Sequence, residues 1–351
     1  MKRLLKTTAV IGLLAFDVLG SGTGQAQESL TVVSFGGAYQ DSQRKAFFKP
    51  FNKDTGVVIK EVEWSGEVAK IRAMVETGNV EWDVIDMEQA EFSLLCEEGL
   101  LEEIDWGALG GKDRFFEIAV SPCGVGAMFW GTIWAYDKDV VKKPPKNWVE
   151  FWDVKKFPGP RALRRHPKST LEFALMADGV PTGQVYVVLR TKEGIDRAFR
   201  KLDEIKPHVK VWWTAGAQPP RLLTDGEVRY TTAYNGRIYY PIVKEGKNFE
   251  MMWDQHLAEL DYWAIPKGSP KKDLAMKFLA FATRPERQGD QTNYINYSPT
   301  AKDATPHINP SVLPYLPTAP ENFKNALVVD SKFWIENLRL LTEKFEAWLA
   351  K

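Results

Sequence analysis

Strand-forming runs alternate with helical stretches from residue 30 to residue 99, and this alternation constrains the fold more than any other feature of the sequence. A β-branched run at 30–34 leads through Gly36-Gly37 into a helix from about Ala38, which Pro50 should bend and Thr55-Gly56 should end. Further strands follow at 57–62 and 82–86, with helices at 67–76 and up to residue 99. Alternation with short connections predicts an α/β fold around a mainly parallel sheet.

The rest of the chain predicts a second α/β unit. Its pattern indicates strands at 129–136, 209–213, 228–234 and 262–265, and helices at 174–179, 194–202, 273–283 and 331–351. The last helix is amphipathic, and we expect its apolar face to pack on a lobe of the protein. That face carries Trp334, Leu338, Leu341, Phe345 and Trp348.

Residues 1–26 have the features of a cleaved signal peptide. A basic start at Lys2, Arg3 and Lys6 precedes an apolar run at 9–19, and Gly24-Gln25-Ala26 is a small-x-small cleavage site. The apolar run is too short to span a bilayer. We therefore predict an exported, periplasmic protein. Because the formal net charge of the chain is +0, its composition gives no electrostatic basis for binding nucleic acid or an anionic membrane.

The residues that usually support catalysis or metal binding are scattered or absent in this sequence. It contains no G-x-S-x-G, no H-E-x-x-H and no phosphate-binding loop, and its four histidines lie far apart. We expect no cofactor and no enzymatic activity. The two cysteines, Cys96 and Cys123, predict one disulfide in an oxidising compartment, with a structural role.

Seven short segments, in this order and spacing, resemble the extracellular solute-binding proteins of ABC importers, in their polyamine-binding (spermidine and putrescine) branch. They are Ser34-Phe35-Gly36-Gly37-Ala38-Tyr39, Trp82-Asp83-Val84-Ile85-Asp86, Phe129-Trp130-Gly131-Thr132, Asp225-Gly226-Glu227-Val228, Tyr234-Asn235-Gly236-Arg237, Asp261-Tyr262-Trp263-Ala264-Ile265-Pro266 and Tyr297-Ser298-Pro299-Thr300.

The resemblance implies a two-lobed periplasmic binding protein of the type II kind, with crossing hinge strands and no chemistry on its ligand. We assign residues 27–134 plus 262–305 to the N-terminal lobe and residues 135–261 plus 306–351 to the C-terminal lobe. Hinge motion is expected near 134–136 and Tyr262. The partners implied are an ABC permease and its ATPase on other chains, and the protein itself is expected to be a monomer.

The resemblance also implies which residues bind the ligand. Asp261 falls on the amine-holding aspartate of the family, Tyr234 on an aromatic wall and Tyr297 on a late tyrosine offered to the ligand. Tyr39 and Trp130 are further candidate walls. Gly37 belongs to the segment 34–39 that should lie at the cleft edge, because ligands of open α/β sheets bind at the carboxyl ends of strands.

The sequence departs from the polyamine binders at 161–169, where the family supplies further acids and this chain supplies arginine, histidine and serine. Arg237 adds a guanidinium whose planar fork suits a carboxylate. One retained acid and one arginine predict a zwitterionic ligand, with its amine at Asp261 and its carboxylate at Arg237. A γ-aminobutyrate-like ω-amino acid fits this description. We interpret Arg164 and Arg165 as solvated charges that disfavour diamines.

Three alternatives remain open at this point. The protein could bind a polyamine such as putrescine or spermidine. Tyr239-Tyr240 resembles the tyrosine pair of ferric-ion binding relatives, although neighbouring residues on a strand face opposite sides. Glu259 and Asp261, two residues apart on a strand, could instead be the paired carboxylates of a secreted hydrolase.

Overall fold

The computed structural model describes residues 27–351, in which ten strands form one sheet. The predicted signal peptide lies outside the described residues. The strands are β1 (Ser29–Ser34), β2 (Val58–Glu63), β3 (Val84–Glu88), β4 (Val120–Ser121), β5 (Gly124–Asp137), β6 (Arg161–Arg164), β7 (Val209–Trp213), β8 (Tyr230–Tyr234), β9 (Phe249–Ala264) and β10 (Leu327–Val328).

Two sets of parallel strands are joined at the centre of the sheet by two long strands. The main order is β2-β1-β3-β9-β5-β8-β6-β7, with β4 paired to β5 and β10 to β9. The pairs β2-β1, β1-β3, β8-β6 and β6-β7 are parallel, whereas β9 and β5 run antiparallel to each other and to their outer neighbours β3 and β8. The strands β5 and β9 therefore cross from one parallel set to the other.

Helices connect and cover these strands, as expected for an α/β fold. They are α1 (Gly37–Gln43), α2 (Lys49–Thr55), α3 (Val68–Thr77), α4 (Gln89–Glu97), α5 (Trp148–Trp152), α6 (Pro167–Ala177), α7 (Val185–Leu189), α8 (Lys192–Ile205), α9 (Gln218–Thr224), α10 (Asn235–Glu245), α11 (Lys272–Ala282), α12 (Pro285–Gln291), α13 (Pro320–Phe323) and α14 (Ser331–Leu349). A π-helical turn, Arg44–Phe48, joins α1 to α2 just before Pro50. No helix within residues 27–351 has the length and apolar character needed to cross a membrane.

The apolar interior is divided between the two ends of the sheet. One cluster of buried side chains draws on residues 30–129 and 260–304. Two others draw on residues 133–257 and 308–348. The α14 face is buried in one of these clusters through Trp334, Leu341, Phe345 and Trp348, which confirms the expected packing of the C-terminal helix on the protein. The proposed lobe boundaries themselves remain a prediction.

Several predicted elements differ from the structure, and the strand predicted at 129–136, for example, begins at residue 124. The strand predicted at 262–265 begins at residue 249, because β9 is held by β3 and β5 and tolerates buried acids that interrupt its apolar pattern. The helix predicted at 174–179 begins at residue 167. The pair Tyr239-Tyr240, which follows the strand predicted at 228–234, lies in α10.

Cys96 and Cys123 form the expected disulfide, with their Cα atoms 5.9 Å apart. The bond links the end of α4 to the turn between β4 and β5.

Candidate ligand-binding site

A cavity of about 420 Å³ lies where the central strands meet the carboxyl ends of β3 and β8. Six of the seven predicted ligand-binding residues line it, and these are Tyr39, Trp130, Tyr234, Arg237, Asp261 and Tyr297. The remaining lining residues were not among the seven predicted ligand-binding residues, and they are Phe35, Trp64, Ser65, Glu88, Met128, Ala215 and Gly216.

Gly37, the seventh predicted residue, lies beside Arg237 at the start of α1. Its φ is +55°, and a Cβ atom at this position would lie 3.1 Å from Arg237 Nη1. Both the backbone conformation and the space therefore favour glycine here. The absence of a side chain lets the guanidinium of Arg237 approach the backbone.

Asp261 lies near the C-terminal end of β9, directly opposite Glu88 of β3, and only 3% of its surface is exposed. Trp130 Nε1 donates a hydrogen bond to its Oδ1 at 2.8 Å. Burial, together with the nearby carboxylates of Asp86 and Glu88, raises the pKa of Asp261 well above its usual value. Within residues 27–351 Asp261 forms no salt bridge, so the cavity contains an acid without a cationic partner.

Glu88 and Glu259 share a single cation that the sequence reasoning did not assign to the site. Lys168 Nζ donates to Glu88 Oε2 and to Glu259 Oε2, each at 2.7 Å. Although burial disfavours the charge on Lys168, the carboxylates of Glu259 and Glu88 hold its pKa well above the usual value. Burial alone would raise the pKa of Glu88, but Lys168 and Arg164 lower it to about 2.

Arg237 projects from the first turn of α10 into the cavity. Its Nε atom is buried and has no hydrogen-bond partner among the described residues. A Cβ atom on Gly216 would lie 3.6 Å from this Nε, so the Ala215-Gly216 segment closes around the guanidinium. Arg237 is therefore a positive group available to an anion in the cavity.

Arg164 also contributes to the electrostatics of the site. Its guanidinium carbon lies 5.4 Å from the ring centroid of Tyr234, and its Nη1 is buried without a partner within residues 27–351. The interpretation of Arg164 as a solvated charge is therefore wrong, because β6 directs it against a cavity wall. Arg165, the next residue, points the other way and pairs with Glu346 at 2.6 Å on the surface.

The aromatic walls are held by edge-to-face contacts and by one buried acid. The ring centroids of Tyr39 and Tyr297 are 5.5 Å apart, and those of Trp130 and Tyr234 are 5.1 Å apart. Tyr39 Oη donates to Asp86 Oδ2 at 2.5 Å, which fixes the direction of the ring. Burial raises the pKa of Asp86 to about 7. Asp86 therefore fixes the orientation of Tyr39 in the cavity wall.

The ferric-ion interpretation does not fit this geometry. Tyr239 packs against Tyr315, with ring centroids 5.3 Å apart, while Tyr240 is 46% exposed on the outside of α10. No group of three or more His, Cys, Asp or Glu residues within 27–351 has the arrangement of a metal site. The two tyrosines of the predicted pair thus face different surroundings.

The hydrolase interpretation requires two free carboxylates that face a common substrate. Asp261 lines the cavity, but Glu259 is only 5% exposed, lines a different cavity and accepts a hydrogen bond from Lys168 at its Oε2. That other cavity, of about 520 Å³, has mainly apolar walls that include Phe116, Phe129 and Phe323. The two carboxylates are therefore not presented as a catalytic pair.

A sequence model described as bacterial extracellular solute-binding protein matches residues 46–318. The chain belongs to this family. The gamma-aminobutyric acid-binding protein of Pseudomonas aeruginosa is 43% identical over 340 residues, which cover 97% of this chain and 96% of that protein. A solved structure of a GABA receptor has a TM-score of 0.83 at 31% identity, covering 92% of this chain and 98% of the other.

An ABC transporter substrate-binding protein from Bradyrhizobium japonicum USDA 110 also has a TM-score of 0.83, at 36% identity over 92% of this chain and 99% of the other. The α/β fold is that of the periplasmic binding proteins, as the resemblance implied. Membership of the family places the chain among extracellular proteins that bind a solute, and not among enzymes.

Proposed function

We propose that this protein is the periplasmic solute-binding component of an ABC importer for a short ω-amino acid, γ-aminobutyrate. The ligand ammonium would bind Asp261 and its carboxylate would bind Arg237. The observation that carries this proposal is that one cavity is lined by both an acid and a guanidinium, neither of which has an ionic partner within residues 27–351.

The surroundings of Asp261 suit an ammonium group. A buried ammonium needs acceptors and an aromatic face to replace its lost water. Asp261 supplies the charged acceptor, while Trp130, Tyr234 and Tyr297 supply aromatic surface around the same cavity. The neighbouring carboxylates make the region electronegative, so a cation there relieves the repulsion that raises the pKa of Asp261.

The surroundings of Arg237 suit a carboxylate. A guanidinium presents two parallel N–H donors to both carboxylate oxygens, and such charge-assisted bonds are about twice as strong as neutral ones. The unpartnered Nε of Arg237 lies on the edge that a bidentate ligand would use. Gly37 leaves the space beside Nη1 free of side-chain atoms.

A polyamine fits this cavity less well than an ω-amino acid. A second ammonium near Arg237, Arg164 or Lys168 would meet a like charge, with a repulsion of about 1–4 kcal/mol at contact in partly wet surroundings. The relatives that carry γ-aminobutyrate in their names support the same ligand. We also propose that residues 1–26 are cleaved as a leader and that the protein is a monomer. It would deliver its ligand to an ABC permease and its ATPase on other chains.

Calorimetric titration of refolded, ligand-stripped residues 27–351 tests the ligand. We expect γ-aminobutyrate to bind with a Kd near micromolar or tighter, about −8 kcal/mol, and putrescine to bind at least 100-fold more weakly. Refolding removes any ligand carried through purification. Binding of putrescine in place of γ-aminobutyrate would contradict the zwitterion assignment.

Substitution of Arg237 tests the division of roles within the ligand. We expect Arg237→Met to weaken γ-aminobutyrate binding about 100-fold, or about 3 kcal/mol, because a buried carboxylate loses its charged partner. Binding of n-butylamine, which has the ammonium but no carboxylate, should change little. Arg221→Met, on the exposed side of α9, is the matched control. Equal losses for the two ligands would rule out the carboxylate role of Arg237.

A further inference from the structure

Three carboxylates lie close together on the β3-β9 pair: Asp261 and Glu88 line the ligand cavity, and Glu259 is their neighbour on β9. Glu88 is the register partner of Asp261, and Glu259 lies two residues from Asp261 on the same face of β9. Side chains separated by two residues along a strand are about 7 Å apart. This spacing would let a short diamine place one ammonium at Asp261 and the other between Glu88 and Glu259.

Lys168 already occupies the position between Glu88 and Glu259. Its Nζ lies 2.7 Å from an oxygen of each carboxylate and 6.0 Å from the ring centroid of Trp130. The side chain is only 8% exposed, and Glu259 is 5% exposed. The ammonium of Lys168 is thus a buried cation held between two carboxylates. A bound amine ligand would make the same contacts.

The backbone around Lys168 is unusual in a way that supports a dedicated role. Lys168 and Ser169 depart from helical geometry near the start of α6, and Ser169 has a φ of 76° although it is not glycine. Positive φ at a buried serine is strained and persists only where the surroundings enforce it. Its Oγ is also buried without a partner within residues 27–351. These non-helical conformations occur at the residues that place the Lys168 side chain between Glu88 and Glu259.

We propose that Lys168 is a built-in ammonium that fills a second amine subsite, so that the cavity accepts solutes with one ammonium and excludes diamines. The inference rests on the proposed function only in taking Asp261 as the first amine position. In this arrangement the three acids receive two cations, one from Lys168 and one from the ligand. A diamine would bring a third cation against Lys168 and Arg164.

Removal of the lysine should open the subsite to a diamine. We expect Lys168→Met, which keeps the length of the side chain but not its charge, to tighten putrescine binding at least tenfold relative to the unsubstituted protein. The ratio of putrescine to γ-aminobutyrate affinity should rise by the same factor or more. Lys168→Arg keeps a cation and should leave putrescine excluded. Lys201→Met, a lysine paired with Glu204 at 2.7 Å elsewhere, controls for lysine-to-methionine changes.

A double variant guards against loss of the fold, since Lys168→Met leaves two buried carboxylates without a cation. Lys168→Met with Glu259→Gln removes one charge of each sign and should still bind putrescine more tightly than the unsubstituted protein. A triple variant that adds Glu88→Gln removes both acceptors and should lose this gain. Folded single and double variants whose putrescine affinity is no higher than that of the unsubstituted protein would overturn the proposal, as would a gain that persists in the triple variant.

The result is distinguishable from a failure of the proposed function. If the unsubstituted protein fails to bind γ-aminobutyrate, the zwitterion assignment is wrong, but a putrescine gain in Lys168→Met still supports the second amine subsite. If γ-aminobutyrate binds and no diamine gain appears, Lys168 is a structural ion-pair partner and the inference alone is wrong.

Discussion

At the scale of single residues, Asp261 is a buried acid whose neighbours are mostly acids. Asp86, Glu88 and Glu259 face it from β3 and β9, and the donor that stabilises its carboxylate is Trp130 Nε1. Burial and this repulsion raise the pKa of Asp261, so the unliganded carboxyl is protonated at a higher pH than an exposed aspartate. A bound ammonium has the opposite effect, because an adjacent positive charge favours the carboxylate.

Ligand binding should therefore release protons. Because the ammonium lowers a pKa that is raised in the unliganded protein, we expect γ-aminobutyrate binding to release up to one proton, and the affinity to rise with pH through the pKa of unliganded Asp261. Titration calorimetry in two buffers with different ionisation enthalpies measures the number of protons. A count of zero at every pH at which the folded protein binds the ligand would contradict this account.

An Asp261→Asn variant gives the control for this measurement. We expect it to lose at least 100-fold in affinity for γ-aminobutyrate, or about 3 kcal/mol, and to release no proton at the ligand concentrations that still bind. Asp225→Asn, at an exposed position after α9, should match the unsubstituted protein in both respects. Proton release that survives in Asp261→Asn would point to Asp86, whose pKa is raised to about 7.

At the scale of secondary-structure elements, the sequence predicted the sheet better than it predicted the electrostatic cluster. The strand at 209–213 matches the structure, because its apolar run is short and bounded by turns. Lys168 and Glu88 were not assigned to the site, since an ion pair between residues 80 positions apart depends on strand order and register. The signals that existed were the cationic stretch at 161–169 and the strand predicted at 82–86, which ends two residues before Glu88.

The length of β9 shows the same limit of local patterns. Its acids at 259 and 261 lie outside the strand predicted at 262–265, yet both are buried within β9 because β3 and β5 flank the strand and Lys168 pairs with one of them. Period-two alternation identifies strands with one solvated face, and β9 is covered on both faces over this stretch.

The disulfide belongs to this scale because it joins α4 to the β4-β5 turn. Cys96 and Cys123 are separated by 27 residues, and closing a loop of that size stabilises the fold by about 3–4 kcal/mol in the chain-entropy description. We expect the double variant Cys96→Ala, Cys123→Ala to lose about this amount in urea unfolding. Neither cysteine lines the cavity, so γ-aminobutyrate affinity should change little. Equal unfolding midpoints would contradict a stabilising role for the bond.

At the scale of the whole molecule, the cavity is lined by residues from both ends of the sheet, each end being one set of parallel strands with its helices. Trp64 belongs to the first apolar cluster, whereas Tyr234 and Arg237 lie among the segments of another. The strands β5 and β9 connect the two sides. Their pairing shifts between Thr132 and Trp134, where several residues of β9 bulge out and Gln255 has a φ of 57°. A bulge of this kind bends and twists a strand pair.

This arrangement predicts that the ligand draws the two sides together. A solute held by Asp261 on β9 and by Arg237 on α10 binds the closed arrangement better than an open one, and a ligand shifts a conformational equilibrium only by such a difference in affinity. We expect the radius of gyration from small-angle X-ray scattering to fall when γ-aminobutyrate is added. At 100 times the Kd, mass action should also raise the free energy of unfolding by about 2.7 kcal/mol.

Arg237→Met separates closure from simple occupancy of the cavity. In this variant saturating γ-aminobutyrate keeps its ammonium contact at Asp261 but loses the contact that reaches across to α10. The free energy of unfolding should still rise with occupancy, while the fall in the radius of gyration should be smaller than in the unsubstituted protein. If both proteins contract equally at saturation, the bridge formed by the ligand is not what stabilises closure, and the Lys168–Glu88 ion pair becomes the contact between the two sides to test next.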